Sequence, residues 1–160
     1  MPAASRSLEC LTGAAHFEAA MSVRPCARSV HFMVHHRLDA QMSTAPAASA
    51  PELVDDCAAS ATCRLGLVVP KRHAKRAATR NLIKRAVRER ARGAIEVLPA
   101  GDWVVRLRAP FDRKHFVSAQ SPALAEAVRV ELGLLFADIQ RHAARSVSAA
   151  PAAPAGHAAR

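Results

Sequence analysis

The stretch from Lys71 to Arg92, KRHAKRAATRNLIKRAVRERAR, holds 10 of the chain's 23 Lys and Arg residues within 22 positions, with Glu89 as the one acid among them. So dense a charge calls for a polyanion nearby. From Ala77 the stretch reads as a helix, because it contains neither Gly nor Pro before Gly93 and is rich in Ala, Leu, Arg and Lys, which lose little rotamer freedom in helices. Thr79 is the expected cap at its start and Gly93 the expected loosening at its end. At about 100° per residue, Arg80, Asn81, Lys84, Arg85, Arg88 and Arg92 fall within an arc of roughly 140°. Leu82, Ile83, Ala86, Val87 and Ala94 occupy another arc, interrupted by Arg90, whose long stem can run over apolar surface and carry its charge outward. One face is built to pack on a core and the other to meet phosphates. A merely solvated basic face intersperses acids to form pairs four residues apart; here self-repulsion opposes the helix until an anion screens it.

The rest of the composition agrees. The chain has 160 residues, a formal net charge of +10 and a pI near 10.9, which points to nucleic acid or an anionic membrane surface. The organisation expected is a flexible leader over 1–10, one domain over 11–142 with an Ala/Ser/Pro-rich loop at 39–62, and a disordered Ala/Pro-rich tail over 143–160. No apolar run approaches the roughly 18 residues that span a bilayer, so the expected location is cytoplasmic. Cys10, Cys26, Cys57 and Cys63 form no CxxC pair and read as free thiols, and no histidines form a metal-binding motif.

Around the basic helix, hydrophobic patterning places the remaining elements. Leu11 to Val23 reads as a short helix capped by Thr12. In Val30 to Leu38, a strand, Val30, Phe32 and Val34 share the core side, while His31, Met33, His35 and Arg37 share the other. Cys63 to Val69 is a second strand, with Leu65, Leu67 and Val69 inward; Gly66 marks either a close approach or a bulge. Asp102 to Arg108 is a third, in which Trp103 is in register with Val105 and Leu107 and reads as core more than as a base-stacking platform. Ser121 to His142 is a long helix, capped by Ser121 with Pro122 as first helical residue, burying Leu124, Val128, Leu132, Leu135 and Phe136. Strand, basic helix and strand make a β-α-β unit over a sheet of about four strands, an α/β (α+β) two-layer sandwich. The general rule makes such a crossover right-handed.

Arg64-Leu-Gly-Leu-Val-Val-Pro-Lys71-Arg72, followed by Arg80-Asn81-x-x-Lys84-Arg85-x-x-Arg88-Glu89, resembles the signature of the bacterial ribonuclease P protein subunit, in its proteobacterial form. The resemblance implies a left-handed crossover and a ribonucleoprotein that removes the 5′ leader of precursor tRNA. It implies as partners a catalytic RNA, which performs the hydrolysis with Mg²⁺, and precursor tRNA, with one protein per RNA, no protein-bound cofactor or metal, and no membrane. By the same resemblance Lys71, Arg72, Lys75, Arg76, Arg80, Asn81, Lys84, Arg85 and Arg88 contact RNA, and Phe17, Met21, His35, Arg64, Val68, Arg106 and Arg108 border the cleft that receives the leader. Asn81 has a second reading, as a helix-start residue bonded to backbone.

The residues themselves offer no active site. A metal-dependent nuclease needs converging carboxylates, yet the chain has 13 acids, scattered singly apart from Asp55 and Asp56 in the low-complexity loop. With aromatics at 4% and no Tyr, a sheet that stacks several bases is also disfavoured. The competing readings are a non-catalytic RNA-binding module of ribosome-associated or RNA-chaperone type, and a membrane-surface helix. The second lacks Trp or Phe anchors on the apolar face of residues 82–94.

Overall fold

The computed structural model describes residues 6–38 and 62–148; the first five residues, the expected loop apart from Thr62, and the tail from 149 lie outside them. In chain order the elements are β1 (Leu8–Cys10), α1 (Ala14–Ser22), β2 (Ala27–Arg28), β3 (Phe32–Arg37), β4 (Cys63–Val68), α2 (Ala77–Ala94), β5 (Gly101–Leu107) and α3 (Pro122–Ser148). They form the mixed α/β sandwich that the pattern predicts. The sheet order is β1-β4-β5-β3-β2, with β4 parallel to both β1 and β5, and β3 antiparallel to β5 and β2.

Five strands stand where about four were expected, and both additions are edges. Residues 8–10, expected in a flexible leader, pair with β4 as β1, and the bonds Cys63 N–H to Ser7 O (3.1 Å) and Leu11 N–H to Leu65 O (3.0 Å) continue that ladder. The first helix is shorter than residues 11–23. It starts after Gly13, whose φ of 88° suits glycine, and no side chain caps it, so Thr12 is not the cap.

The basic helix buries Ile83, Val87, Ala91 and Ala94. Arg76, not Thr79, holds its N-cap position; the Thr79 hydroxyl instead donates to Ala119 O at 3.1 Å and ties the loop before α3 to α2. At the start of α3, Ser121 Oγ accepts from Leu124 N–H at 3.1 Å, and Leu124, Val128, Leu132, Leu135 and Phe136 are all buried, joined by Ile139. That helix runs past the expected boundary at 142 to Ser148.

Two cores flank the sheet. Phe32, Val34, Leu65, Trp103, Val105 and Leu107 pack with α2 and α3 on one face, and Leu11, Ala20 and Val104 pack with α1 on the other. Trp103 is core: its indole N–H donates to Pro99 O at 2.9 Å, and its ring stacks on His36 at 4.0 Å. Val30, expected in the core, is 72% exposed, because it lies in the turn closed by Ser29 N–H to Phe32 O, before the strand begins.

The hairpin of β2 and β3 is fastened to α3 by Glu131, whose carboxylate accepts from Ser29 Oγ (2.5 Å), His31 N–H (2.7 Å) and His31 Nδ1 (2.6 Å). Burial alone would push this carboxyl up, but the hydrogen bonds and the His31 charge outweigh it and hold its pKa below the ordinary 4.5. A depressed folded pKa means that protonation favours unfolding, so the stabilisation is complete above about pH 4.5 and is lost as pH falls through the folded value. Urea melts of the chain and of Glu131→Gln between pH 7 and pH 3 should therefore differ most at neutral pH and converge in acid.

Candidate nucleic-acid interface

The strand register sorts the α1 face of the sheet into three rows. Glu9, Arg64, Asp102 and Arg37 lie side by side across four strands; Gly66, Val104 and His35 form the next row; Val68, Arg106, Met33 and Arg28 form the last. The first row alternates in sign. Arg64 Nε lies 2.6 Å from Oδ1 of the buried Asp102, and His16 Nδ1 lies 4.0 Å from its other oxygen, so this end of the face is close to neutral. The last row carries two cations and no acid.

Over the middle row lies α1. Phe17 and Met21 are half-buried against Leu11, Ala20 and Val104, with Val68 at the margin. The alternatives at Gly66 resolve to a close approach: a Cβ there would stand 2.5 Å from Phe17 Cε1 and 2.8 Å from Cζ, so the absent side chain is what lets the ring reach the sheet. His35 is buried, its Nδ1 2.8 Å from the carbonyl of Val23 just beyond α1. Phe17, Met21, His35 and Val68 thus gather under or beside α1, with Arg64 and Arg106 in the rows on either side. Arg108 stands beyond the end of β5, where its guanidinium donates to Ser29 O at 3.2 Å.

The basic surface continues from the last row into the turn before α2. Desolvation, then the charges of Arg72 and Arg106, hold the His73 imidazole below its ordinary 6.5, which places turn and sheet cations in one field. Lys71, Arg72 and Lys75 are exposed there. Arg76 donates to Val117 O at 2.9 Å, and Arg80 Nη1 reaches the carbonyls of Ala74 (2.9 Å) and Lys75 (2.8 Å), so Arg80 also clamps the turn. Along α2, Asn81, Arg85 and Arg88 are exposed and Lys84 half-exposed. Asn81 sits in the second turn of the helix and makes no side-chain hydrogen bond among the described residues, which removes the helix-start reading. Nor do Lys84, Arg85 or Arg88 form an ion pair there.

Two cations were missed from the sequence. Arg28 joins the cleft row only through pairing with Met33 across a two-residue strand, and Arg129 approaches α2 only because α3 packs beside it. Neither has a local signal. Among the described residues no cluster of three His, Cys, Asp or Glu side chains is placed to hold a metal, and no helix is long and apolar enough to cross a membrane.

The family model for ribonuclease P matches residues 6–128. The chain belongs to the ribonuclease P protein family. It is 40% identical over 111 residues to a ribonuclease P protein component of Bordetella avium, covering 69% of this chain and 78% of that one, and 34% identical over 139 residues to one of Paraburkholderia xenovorans, covering 87% and 83%. Among solved structures, the RNase P protein of Staphylococcus aureus superposes with a TM-score of 0.53 at 19% identity, covering 82% of this chain and 92% of that one. The RNase P protein from Thermotoga maritima gives 0.50 at 25%, covering 79% and 94%. As in other ribonuclease P proteins, the task is tRNA processing through RNA binding.

In this ribonuclease P protein the seating of Phe17 on the sheet depends on Gly66. Gly66→Ala should cost about 1–3 kcal/mol through overpacking against Phe17. Combining it with Phe17→Ala should cost less than the sum of the two single changes, as read from urea midpoints in a double-mutant cycle.

Proposed function

We propose that the chain binds the catalytic RNA of ribonuclease P through the exposed face of α2 and its preceding turn, and holds the 5′ leader of precursor tRNA in the cleft between α1 and the last row of the sheet. In this reading it works in the cytoplasm as one protein per RNA and contributes no catalytic residue. The RNA performs the phosphodiester hydrolysis, with Mg²⁺ as its own metal. The observation that carries the reading is the placement of two cationic surfaces on opposite faces of one sheet: α1 and the cleft on one side, α2 and α3 on the other. Two RNA segments can then be engaged at once.

The carboxylates near these surfaces support a positional role. Asp102 is engaged by Arg64, and Glu131 by Ser29 and His31, so neither is presented to a scissile phosphate. Glu9 and Glu89 stand singly among cations, and the groups that dominate both surfaces are guanidinium and ammonium, which hold phosphates without reading sequence and so suit leaders of many sequences. In the cleft, Phe17 is half-buried over Gly66, with Arg106 in the next row of the sheet, so one ring can support a base while the phosphates meet that row's cations. The neutral row at the other end gives a strand no comparable hold.

The test is single-turnover cleavage of a precursor tRNA by bacterial catalytic RNA at low Mg²⁺, with and without the chain. A large rise in rate with the cut at the mature 5′ end is expected; tight RNA binding without any rise would replace the reading with that of a plain RNA-binding module. Changing Lys84, Arg85 and Arg88 together to Gln should lower the slope of log affinity against log salt by about 2 to 3 if each meets a phosphate. An unchanged slope would mean that the face is only solvated.

A further inference from the structure

Between α2 and α3, on the side of the helix layer turned away from the sheet, runs an open groove. Arg85, Arg88 and Arg92 line it from α2, and Arg129 from α3. They stand at positions i, i+3 and i+7, one cation per helical turn over about 10 Å. Arg129 faces them and lines the groove along its whole length, from the Asn81 and Gln120 end to the Arg90 and Gln140 end. Leu82 and Ala86 contribute apolar surface below.

The electrostatics are one-sided. Five guanidinium groups, those of Arg85, Arg88, Arg90, Arg92 and Arg129, share the groove with a single carboxylate, Glu89, and none of the six forms an ion pair among the described residues. On the same helix, by contrast, Arg141 is paired with Asp138. Unpaired arginines converging from two helices repel one another unless an anion lies between them, and their planar forks match phosphate oxygens two at a time. The groove is shallow and open to solvent, with Leu82 and Ala86 as apolar floor, and runs along several turns of both helices, so it suits a continuing strand better than a single free anion.

We infer that Arg92 and Arg129 extend the α2 surface across this groove to α3, so that a strand of the catalytic RNA is clamped by its backbone from both helices. The strand belongs to the catalytic RNA and not to the leader, because the groove and the cleft lie on opposite faces of the sheet. The inference rests on the function proposed above. Glu89 fixes where the strand runs by repelling phosphates from the middle of the α2 wall.

The test uses the full chain and bacterial catalytic RNA alone, without precursor tRNA, with affinity measured over a range of KCl concentrations. Arg129→Gln should bind several-fold more weakly and lower the salt slope by about 0.7 to 0.9, and Arg92→Gln with Arg129→Gln by about twice that. Glu89→Gln should bind more tightly at every salt concentration, a gain that general damage to the fold would not produce. Arg141→Gln, outside the groove, should match the unaltered chain. A wild-type slope in both Arg129 variants, or no gain in Glu89→Gln, would overturn the groove assignment while leaving the α2 surface standing. Failure of the unaltered chain to bind the catalytic RNA would overturn both.

Discussion

The parallel pairing of β4 with β5 obliges the chain to cross the sheet between them, and α2 is that crossing. Everything else follows from what the crossing helix must do. It buries Ile83, Val87, Ala91 and Ala94 beside α3 over one sheet face, and the same geometry turns Lys84, Arg85 and Arg88 outward, where none forms an ion pair among the described residues. Burial of the apolar face is the favourable term that holds a self-repelling helix in place before any anion arrives. With α2 and α3 on one face, α1 is the one helix among the described residues on the other, and at nine residues it covers only part of it. The remainder is the row of Val68, Arg106, Met33 and Arg28.

The elements that could be read from the chain are those whose signal is local and periodic. The two long helices announce themselves by an apolar residue every three to four positions, and α3 by the Ser121 cap and Pro122 as well. β4 and β5 show the alternation of strands. What could not be read depends on partners distant in sequence. Leu8–Cys10 has too few residues to declare a strand and becomes one by pairing with Cys63–Leu65. Val30 fits the alternation of Phe32 and Val34, yet the Ser29–Phe32 turn places it outside the strand.

The site divides along the same line. The signature from Arg64 to Glu89 lies on contiguous elements, and the residues it names on α2 are presented together. His35 was legible as a member of the sheet's mixed face but not as a buried residue, since its burial depends on α1, to whose end it is tied through the Val23 carbonyl. Arg129 is the clearest case of a residue invisible to pattern. On its own helix it is one exposed Arg in an ordinary polar face, and only the packing of α3 against α2 sets it opposite Arg85, Arg88 and Arg92.

The two edges of the sheet are its shortest strands, three residues in β1 and two in β2, while the long, apolar strands β3, β4 and β5 are all interior. An exposed edge is a template on which another chain can add a strand, and its reach grows with its length. Because β1 pairs only with Cys63–Leu65 of β4 and β2 only with Met33–Val34 of β3, each side of the sheet is a stepped edge of two or three rungs at a time and not one long template, and a net charge of +10 keeps like chains apart at longer range. Protection against self-aggregation is thus built into the stepped outline of the sheet.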